Sequence, residues 1–501
     1  MNVCRVVILQ VTGVTRRHMS LLRNQAFVDG KWVSAASGKM FDVTNPANGQ
    51  TICQVPDMDA SDTEIALKAA HTAFQTWEFT TAKERSILLR KWYNLLVENK
   101  DELAKIMTAE SGKPIGEAAT EVAYGNGFVE WFSEEARRIH GEVISSPFPT
   151  KEMLLIRRPI GVAALITPWN FPLAMITRKA GAALAAGCTC VVKPAEDTPL
   201  SALALAQLAE EAGIPRGVFN VVTSSRELTP QVGKLLCTSP LVAGISFTGS
   251  TNIGKLLYEQ CAAGVKRLSL ELGGNAPFIV FDSADIDKAV QGAMASKFRN
   301  CGQTCVSANR LFVHEKVFDS FVSRLSDAMK KDLILGDGAT ANVTQGPLIN
   351  NTQAKKVDSL VQDAIKKGAK VHLGGKAAPD IGERYYEPTL LTNVNDTMQL
   401  YHEEIFGPVA VCIKFSTEAE VLTLANSSRS GLAGYFYSND LAQIWRVAKR
   451  LETGMVGINE GIISCPEAAF GGIKESGIGR EGSHYGIEEY TYIKYLCFGN
   501  L

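Results

Sequence analysis

Three short passages carry residue types that together suit chemistry at a carbonyl carbon. Cys305 lies in FRNCGQTCVSANR, on a Gly-Gln-Thr turn that follows a helical pattern. Glycine lets backbone approach a ligand closely, and a cysteine on such a turn can offer its sulfur to a pocket. Alone it says little, because one of eleven cysteines is more often a small buried apolar residue than a nucleophile. Glu271 closes an apolar run in LELGGNAP, immediately before two glycines, and Asn170 stands between two prolines in ITPWNFP after another such run. Each has an ordinary structural reading: the glutamate as a cap or ion-pair member, the asparagine as a turn residue bonding its own backbone. Three polar groups on three strand-end loops make a more specific set, namely a thiol nucleophile, an amide donor for an oxyanion and a carboxylate to activate water.

Such loops need strands beneath them. Short apolar runs at 162–166, 189–192, 219–222, 243–247, 268–270 and 278–281 alternate with helical stretches. One of these, SALALAQLAEEAG, follows Thr198-Pro199 and stops at Gly213, so threonine is expected to cap it and proline to open its first turn. Strands alternating with helices predict a parallel α/β sheet covered on both faces. FVDGKWV predicts a hairpin turning at Asp29-Gly30, and helical patterns follow over about 61–77, 83–110 and 115–139. A second α/β series runs from DIDKAVQGAMASKF through RLFVH and VFDSFVSRLSDAMKK to VDSLVQDAIKKGAKVHLGG. In open α/β sheets the loops at the carboxyl ends of strands hold the chemistry.

With 501 residues, 46% hydrophobic, the chain supports two or three domains with large cores. A formal net charge of −1 without a basic block provides no field for gathering nucleic acid or anionic membrane. The cysteines are odd in number and sit mostly in apolar runs such as GCTCVVK and VCIKF, which fits a reducing compartment. Seven histidines with no CxxC or HxxxH pairing argue against a zinc site, so no metal is expected. Pro159 to Thr177 lacks acidic residues and approaches membrane-spanning length, but Pro168 and Pro172 interrupt it, and it reads as buried core. The first 28 residues carry Arg5, Arg16, Arg17, His18 and Arg23 and no acid. That suits a mitochondrial transit peptide and import to the matrix, whereas the β-branched VVILQV run and sparse serine fit a cytoplasmic protein with a frayed N-terminus.

Beyond its first 20 or so residues the sequence resembles the aldehyde dehydrogenase superfamily, through PWNFP, VVKPAEDTP, FTGST, LELGGNAP, GQTC, EEIFGPV and FGGIKESGIGREG. Within it the succinate-semialdehyde dehydrogenases are most similar, notably in FRNCGQTC, GIIS and GREGSHYGIEEY. The resemblance implies Cys305 as nucleophile, Glu271 as general base, and Asn170 with the Cys305 amide as oxyanion hole. The chemistry is coherent. An aldehyde releases hydride only as a tetrahedral adduct, a thiolate forms one reversibly, and the thioester left behind yields to activated water. Since free cysteine titrates near about pH 8.5, the site must favour thiolate by positive charge, dipoles or transfer to a base.

The resemblance further implies NAD as cofactor, with Gly249 and Ser250 of SFTGSTNIG at the pyrophosphate. Lys193 and Glu196 would face the adenosine ribose, and Glu404 and Phe406, with Trp169, would hold the nicotinamide side. A carboxylate at Glu196 disfavours a 2′-phosphate, hence NAD over NADP. Around the distal end of the substrate it places Arg178, Arg299 and Ser464, where two guanidinium groups would clamp a carboxylate. Arg178 equally suits a structural ion pair or a subunit contact. The sequence departs from the pattern in having Ser307 where many relatives carry a second cysteine two residues past the nucleophile. Cys301, four residues before Cys305, is the remaining candidate for redox control.

The expected fold is therefore α/β and aldehyde dehydrogenase-like. A dinucleotide-binding domain spans 20–145 and 167–278, a catalytic α/β domain 279–462, and a small β oligomerisation element 146–166 plus 480–501, after a targeting segment at 1–20. A homotetramer is implied, and EEYTYIKYLCFG has the alternation of a strand pairing beyond its own domain. The partner is a small aldehyde with a distal carboxylate, succinate semialdehyde first. Other readings stay open: glutarate semialdehyde or neutral aldehydes, a CoA-acylating enzyme, or a non-catalytic crystallin-like relative.

Overall fold

A computed structural model describes residues 21–500; the targeting segment expected at 1–20 lies outside them. An eight-stranded sheet has a parallel centre in the order Phe219–Val221, Thr189–Lys193, Val162–Ile166, Val242–Thr248, Arg267–Glu271. These strands are apolar on both faces because helices cover both. One edge is the hairpin Ala26–Val28 and Lys31–Val33, whose turn residues Asp29 (φ 53°) and Gly30 (φ 66°) give the twist such hairpins need. Because Val162–Ile166 is its central strand, the stretch expected as 146–166 does not belong whole to the bridging element.

The second sheet has seven strands, in the order Lys370–Leu373, Thr389–Thr392, Val409–Phe415, Ala308–His314, Ala276–Val280, Ala433–Tyr437, Met455–Ile458, with only the first pairing antiparallel. Ala276–Val280 straddles the boundary expected at 278. The chain actually crosses between sheets at Gly273-Gly274, where a Cβ on Gly274 would sit 2.6 Å from the Cys305 carbonyl oxygen. The tail then returns to the first sheet: Gly477–Ile478 pairs with Leu270 and Glu271. A third, antiparallel sheet joins Thr491–Gly499 to Lys151–Pro159 and Glu142–Ile144.

Two helix expectations change. The stretch 83–110 is two helices, Ala82–Glu98 and Lys100–Ser111, because Asn99 (φ −104°, ψ 17°) leaves helical geometry and its side chain donates to the Leu95 carbonyl. Leu200–Glu211 is not capped by Thr198. Its first amides, Leu200 N and Ser201 N, donate instead to the buried Glu110 carboxylate at 2.7 and 2.9 Å. A helix from elsewhere in the chain thus satisfies donors that local sequence leaves open.

Candidate active site

The carboxyl ends of the two parallel sheets face one another, and the three chemical loops meet there. Glu271 ends its strand, Asn170 follows Val162–Ile166, and Cys305 precedes Ala308–His314. All three line one cavity of about 230 Å³, together with Trp169, Gly249, Ser250, Glu404 and Phe406. The nucleophile loop is launched by three successive left-handed residues, Asn300 (φ 51°), Cys301 (φ 56°) and Gly302 (φ 73°). Such backbone persists only when its surroundings hold it. Here Glu117 accepts from Asn300 N at 2.9 Å, and the Asn300 amide donates to the carbonyls of Asn170 (2.9 Å) and Gln303 (3.2 Å). The Asn170 side-chain amide itself donates to Gln303 O at 3.1 Å. The oxyanion and nucleophile loops are stitched to each other before any ligand arrives.

Burial first, and then the neighbouring Glu271 carboxylate, push the Cys305 thiol well above its usual range, with Arg178 opposing them. The sulfur thus lies in a setting that favours the thiol, with Glu271 as the neighbouring carboxylate. Of the routes to thiolate open in the sequence, this geometry offers a neighbouring base in Glu271 and positive charge in Arg178. Glu404 is half-buried, and its desolvation pushes its carboxyl up to about 7 against the opposing Gly274 N–H.

The two arginines expected around the distal end of the substrate stand in different settings. Arg178 is 1% exposed, its Nη2 donates to Glu271 Oε2 at 2.6 Å, and its Nε faces the Glu481 carboxylate. Its guanidinium also lies over the Phe470 ring. The ion-pair reading of Arg178 thus holds in the resting structure, and its fork is engaged by the residue expected to act as base. Arg299 differs: it lines an adjacent cavity of about 350 Å³ with Glu117, Tyr124, Phe171 and Ile462. Its guanidinium stacks 5.3 Å from the Phe171 ring. Ser464 is half-buried on the loop that brings Ile462 to this cavity, and is not itself among the lining residues.

On the other side, a cavity of about 500 Å³ is bordered by Lys193, Glu196 and the helices Thr229–Thr238 and Thr251–Ala262. Lys193 Nζ stands 3.7 Å from Glu196, and burial pulls the lysine below its usual value. Trp169 and Gln353 border both this cavity and the inner one, so the two adjoin. Gly249 and Ser250 lie at the start of Thr251–Ala262, where a Cβ on Gly249 would meet the Phe247 ring at 2.4 Å. Phe406 (φ 55°) packs edge-on against Trp169, with ring centroids 5.5 Å apart. These residues fit a nicotinamide dinucleotide.

Several participants escaped the sequence reading. Gln353 donates to Phe406 O at 2.8 Å and Lys356 to Glu404 O at 2.7 Å, so the helix Asn351–Lys366 holds the EEIFGP loop. Glu481 pairs with Arg178 and Lys179. Burial works against its charge, yet the two cations keep its carboxyl below the usual range. The available signal was charge inside otherwise apolar or glycine-rich motifs, as in KESGIGREG and GKPIGEAATE. Cys301 belongs to a different apolar cluster from Cys305, and both are free thiols. Among the described residues no group of three or more His, Cys, Asp or Glu side chains is arranged to hold a metal, and no helix is long and apolar enough to cross a membrane.

Comparison with known proteins identifies the family. The model of the aldehyde dehydrogenase family matches residues 32–496. The mitochondrial succinate-semialdehyde dehydrogenase of Homo sapiens is 58% identical over 482 residues, 96% of this chain and 90% of the relative. The NADP(+) succinate-semialdehyde dehydrogenase of Escherichia coli (strain K12) is 54% identical over 96% of this chain and 98% of its own length. The crystal structure of succinate-semialdehyde dehydrogenase from Burkholderia pseudomallei superposes with a TM-score of 0.94 at 52% identity, covering 97% of this chain and 100% of that one. The chain belongs to the aldehyde dehydrogenase family.

Proposed function

We propose that the protein oxidises succinate semialdehyde to succinate with NAD, using Cys305 as nucleophile. The observation that carries this reading is the juxtaposition of Cys305, Glu271 and Asn170 in one cavity, with a cavity bordered by Lys193 and Glu196 on one side and an arginine-bearing cavity on the other. The Cys305 sulfur adds to the aldehyde carbon as its proton passes to Glu271, and the new oxyanion accepts from the Asn170 amide and the Cys305 N–H. NAD, held by Lys193, Glu196, Gly249, Ser250, Trp169, Glu404 and Phe406, supplies the hydride acceptor. Glu271 releases the thiol proton to solvent before the thioester on Cys305 is cleaved; it then takes a proton from the attacking water and returns it to the departing sulfur, leaving the acid and the thiol.

Arg299 supports a substrate with a distal carboxylate, since its guanidinium lies over the Phe171 ring at the wall of the outer cavity, where a neutral aldehyde would offer it no charged partner. Ser464 lies on the loop beside it. Arg178 joins it only when Glu271 swings toward the thioester and frees Nη2. Glu196 favours NAD over NADP by its charge, although the E. coli relative is named for NADP(+). Matrix location is supported by the acid-free N-terminus and by the human relative's mitochondrial name. A homotetramer is supported by the exposed strand Thr491–Gly499. The test is the initial rate of NADH formation with succinate semialdehyde against glutarate semialdehyde, acetaldehyde and butyraldehyde, repeated with NADP. Preference for succinate semialdehyde with NAD upholds the reading; equal rates with neutral aldehydes overturn the substrate, and faster turnover with NADP overturns the cofactor.

A further inference from the structure

We propose that Lys113 and Glu121 form a positioning couple that sets the Asn170 amide for the oxyanion. This rests on the role given to Asn170 above. Both side chains are 1% exposed and paired with one another. Burying two charges is costly, and a buried pair is a weak source of stability compared with apolar packing of the same volume. Its geometry points to another use.

Lys113 Nζ donates to Glu121 and, at 2.9 Å, to the backbone carbonyl of Asn170. The same ammonium lies 4.0 Å from the centre of the Phe171 ring, on the residue after Asn170. The other oxygen of Glu121 accepts from Leu173 N at 3.1 Å and Ala174 N at 3.3 Å, where the helix Ala174–Ala186 begins. Asn300 adds a second donor to the Asn170 carbonyl at 2.9 Å. The Asn170 peptide is therefore fixed at its own carbonyl and again three residues on, which leaves its side chain to be aimed by a rigid backbone. A preorganised donor is worth more than a mobile one because it is not reoriented as charge develops.

Neither Lys113 nor Glu121 borders the inner cavity that holds Cys305; both border the outer one. They act through Asn170 and not on the reacting atoms. Glu121 lies one helical turn beyond Glu117, which holds Asn300 N in the nucleophile loop. One face of the helix Ile115–Glu135 thus grips the oxyanion loop and the nucleophile loop together.

The experiment is a double-mutant cycle of Lys113→Met with Asn170→Ala, reading kcat and KM for succinate semialdehyde, NAD affinity by fluorescence quenching, and thermal midpoint. Asn170→Ala is expected to lower kcat by about 10²- to 10³-fold, as loss of one oxyanion donor does. Lys113→Met is expected to lower kcat by about 10-fold, leaving NAD affinity within about 2-fold, and in the Asn170→Ala background to cost less than about 2-fold more. Lys113→Arg, which keeps the charge and a donor, is expected to restore most of kcat. If the methionine variant does not fold, Glu121→Gln enters the same cycle with the same expectation. Fully multiplicative losses, or wild-type kcat in the Lys113→Met protein, would overturn the positioning couple and leave Asn170 its role. Near-normal kcat in Asn170→Ala would instead remove the oxyanion reading, and the couple with it.

Discussion

At the scale of single residues, the site is organised around who holds the proton and who holds Glu271. The thiol of Cys305 and the guanidinium of Arg178 both address that carboxylate, one through the proton it must give up and the other at 2.6 Å. On the proposed reading, substrate recognition falls first on Arg299, which lines the outer cavity with Glu117 and Phe171. Arg299→Met is expected to lower kcat/KM for succinate semialdehyde by about 10- to 100-fold, the worth of a charge-assisted hydrogen-bonded pair. Butyraldehyde oxidation by the same variant should change little, and an equal loss for both substrates would speak against the assignment. Cys305, Glu271 and Asn170 were legible because glycine and proline punctuate the loops that carry them. The engagement of Arg178 was not: its partners Glu271 and Glu481 lie far along the chain, and nothing local in MITRK distinguishes a substrate clamp from an ion pair.

At the scale of elements, buried carboxylates do work that capping residues usually do. Glu110 holds the first amides of Leu200–Glu211, and Glu121 holds those of Ala174–Ala186. Burial pushes the Glu110 carboxyl up to about 8 against hydrogen bonds from Ser201 and Leu200 that favour its charge. Folding therefore takes up a proton here. The associated stabilisation is complete below the unfolded carboxyl's value of about 4.3, and is lost as pH rises through about 8. Thermal midpoints measured from about pH 5 to 8 should fall less steeply for Glu110→Gln than for the unaltered protein; parallel curves would refute this. Strands and most helices could be read from period and punctuation. The break at Asn99 and the remote caps could not, because both depend on groups that only the tertiary fold supplies.

At the scale of the whole molecule, the first sheet delivers Glu271, Asn170, Lys193 and Glu196, while the second delivers Cys305, Glu404 and Phe406. Alternating strands and helices made the two sheets legible. Their limits were not, since Val162–Ile166 and Ala276–Val280 are apolar runs whose sheet membership is decided by pairing. The strand Thr491–Gly499 exposes Ile493 (56%) and Tyr495 (51%). Apolar exposure on a paired strand marks a surface for another subunit. If the protein is the proposed tetramer, Ile493→Asp is expected to give smaller species than the unaltered protein in light scattering; an unchanged mass would show that this strand is not the contact. Chemistry that requires both sheets at once can be caught midway. In Glu271→Gln both steps lose their base and the thiol proton must leave to solvent, so mixing with succinate semialdehyde and NAD should give NADH slowly, up to about one per subunit with little turnover afterwards, and a succinyl thioester on Cys305 by peptide mass mapping. NADH formed at the wild-type steady rate without acylated Cys305 would contradict the thioester route.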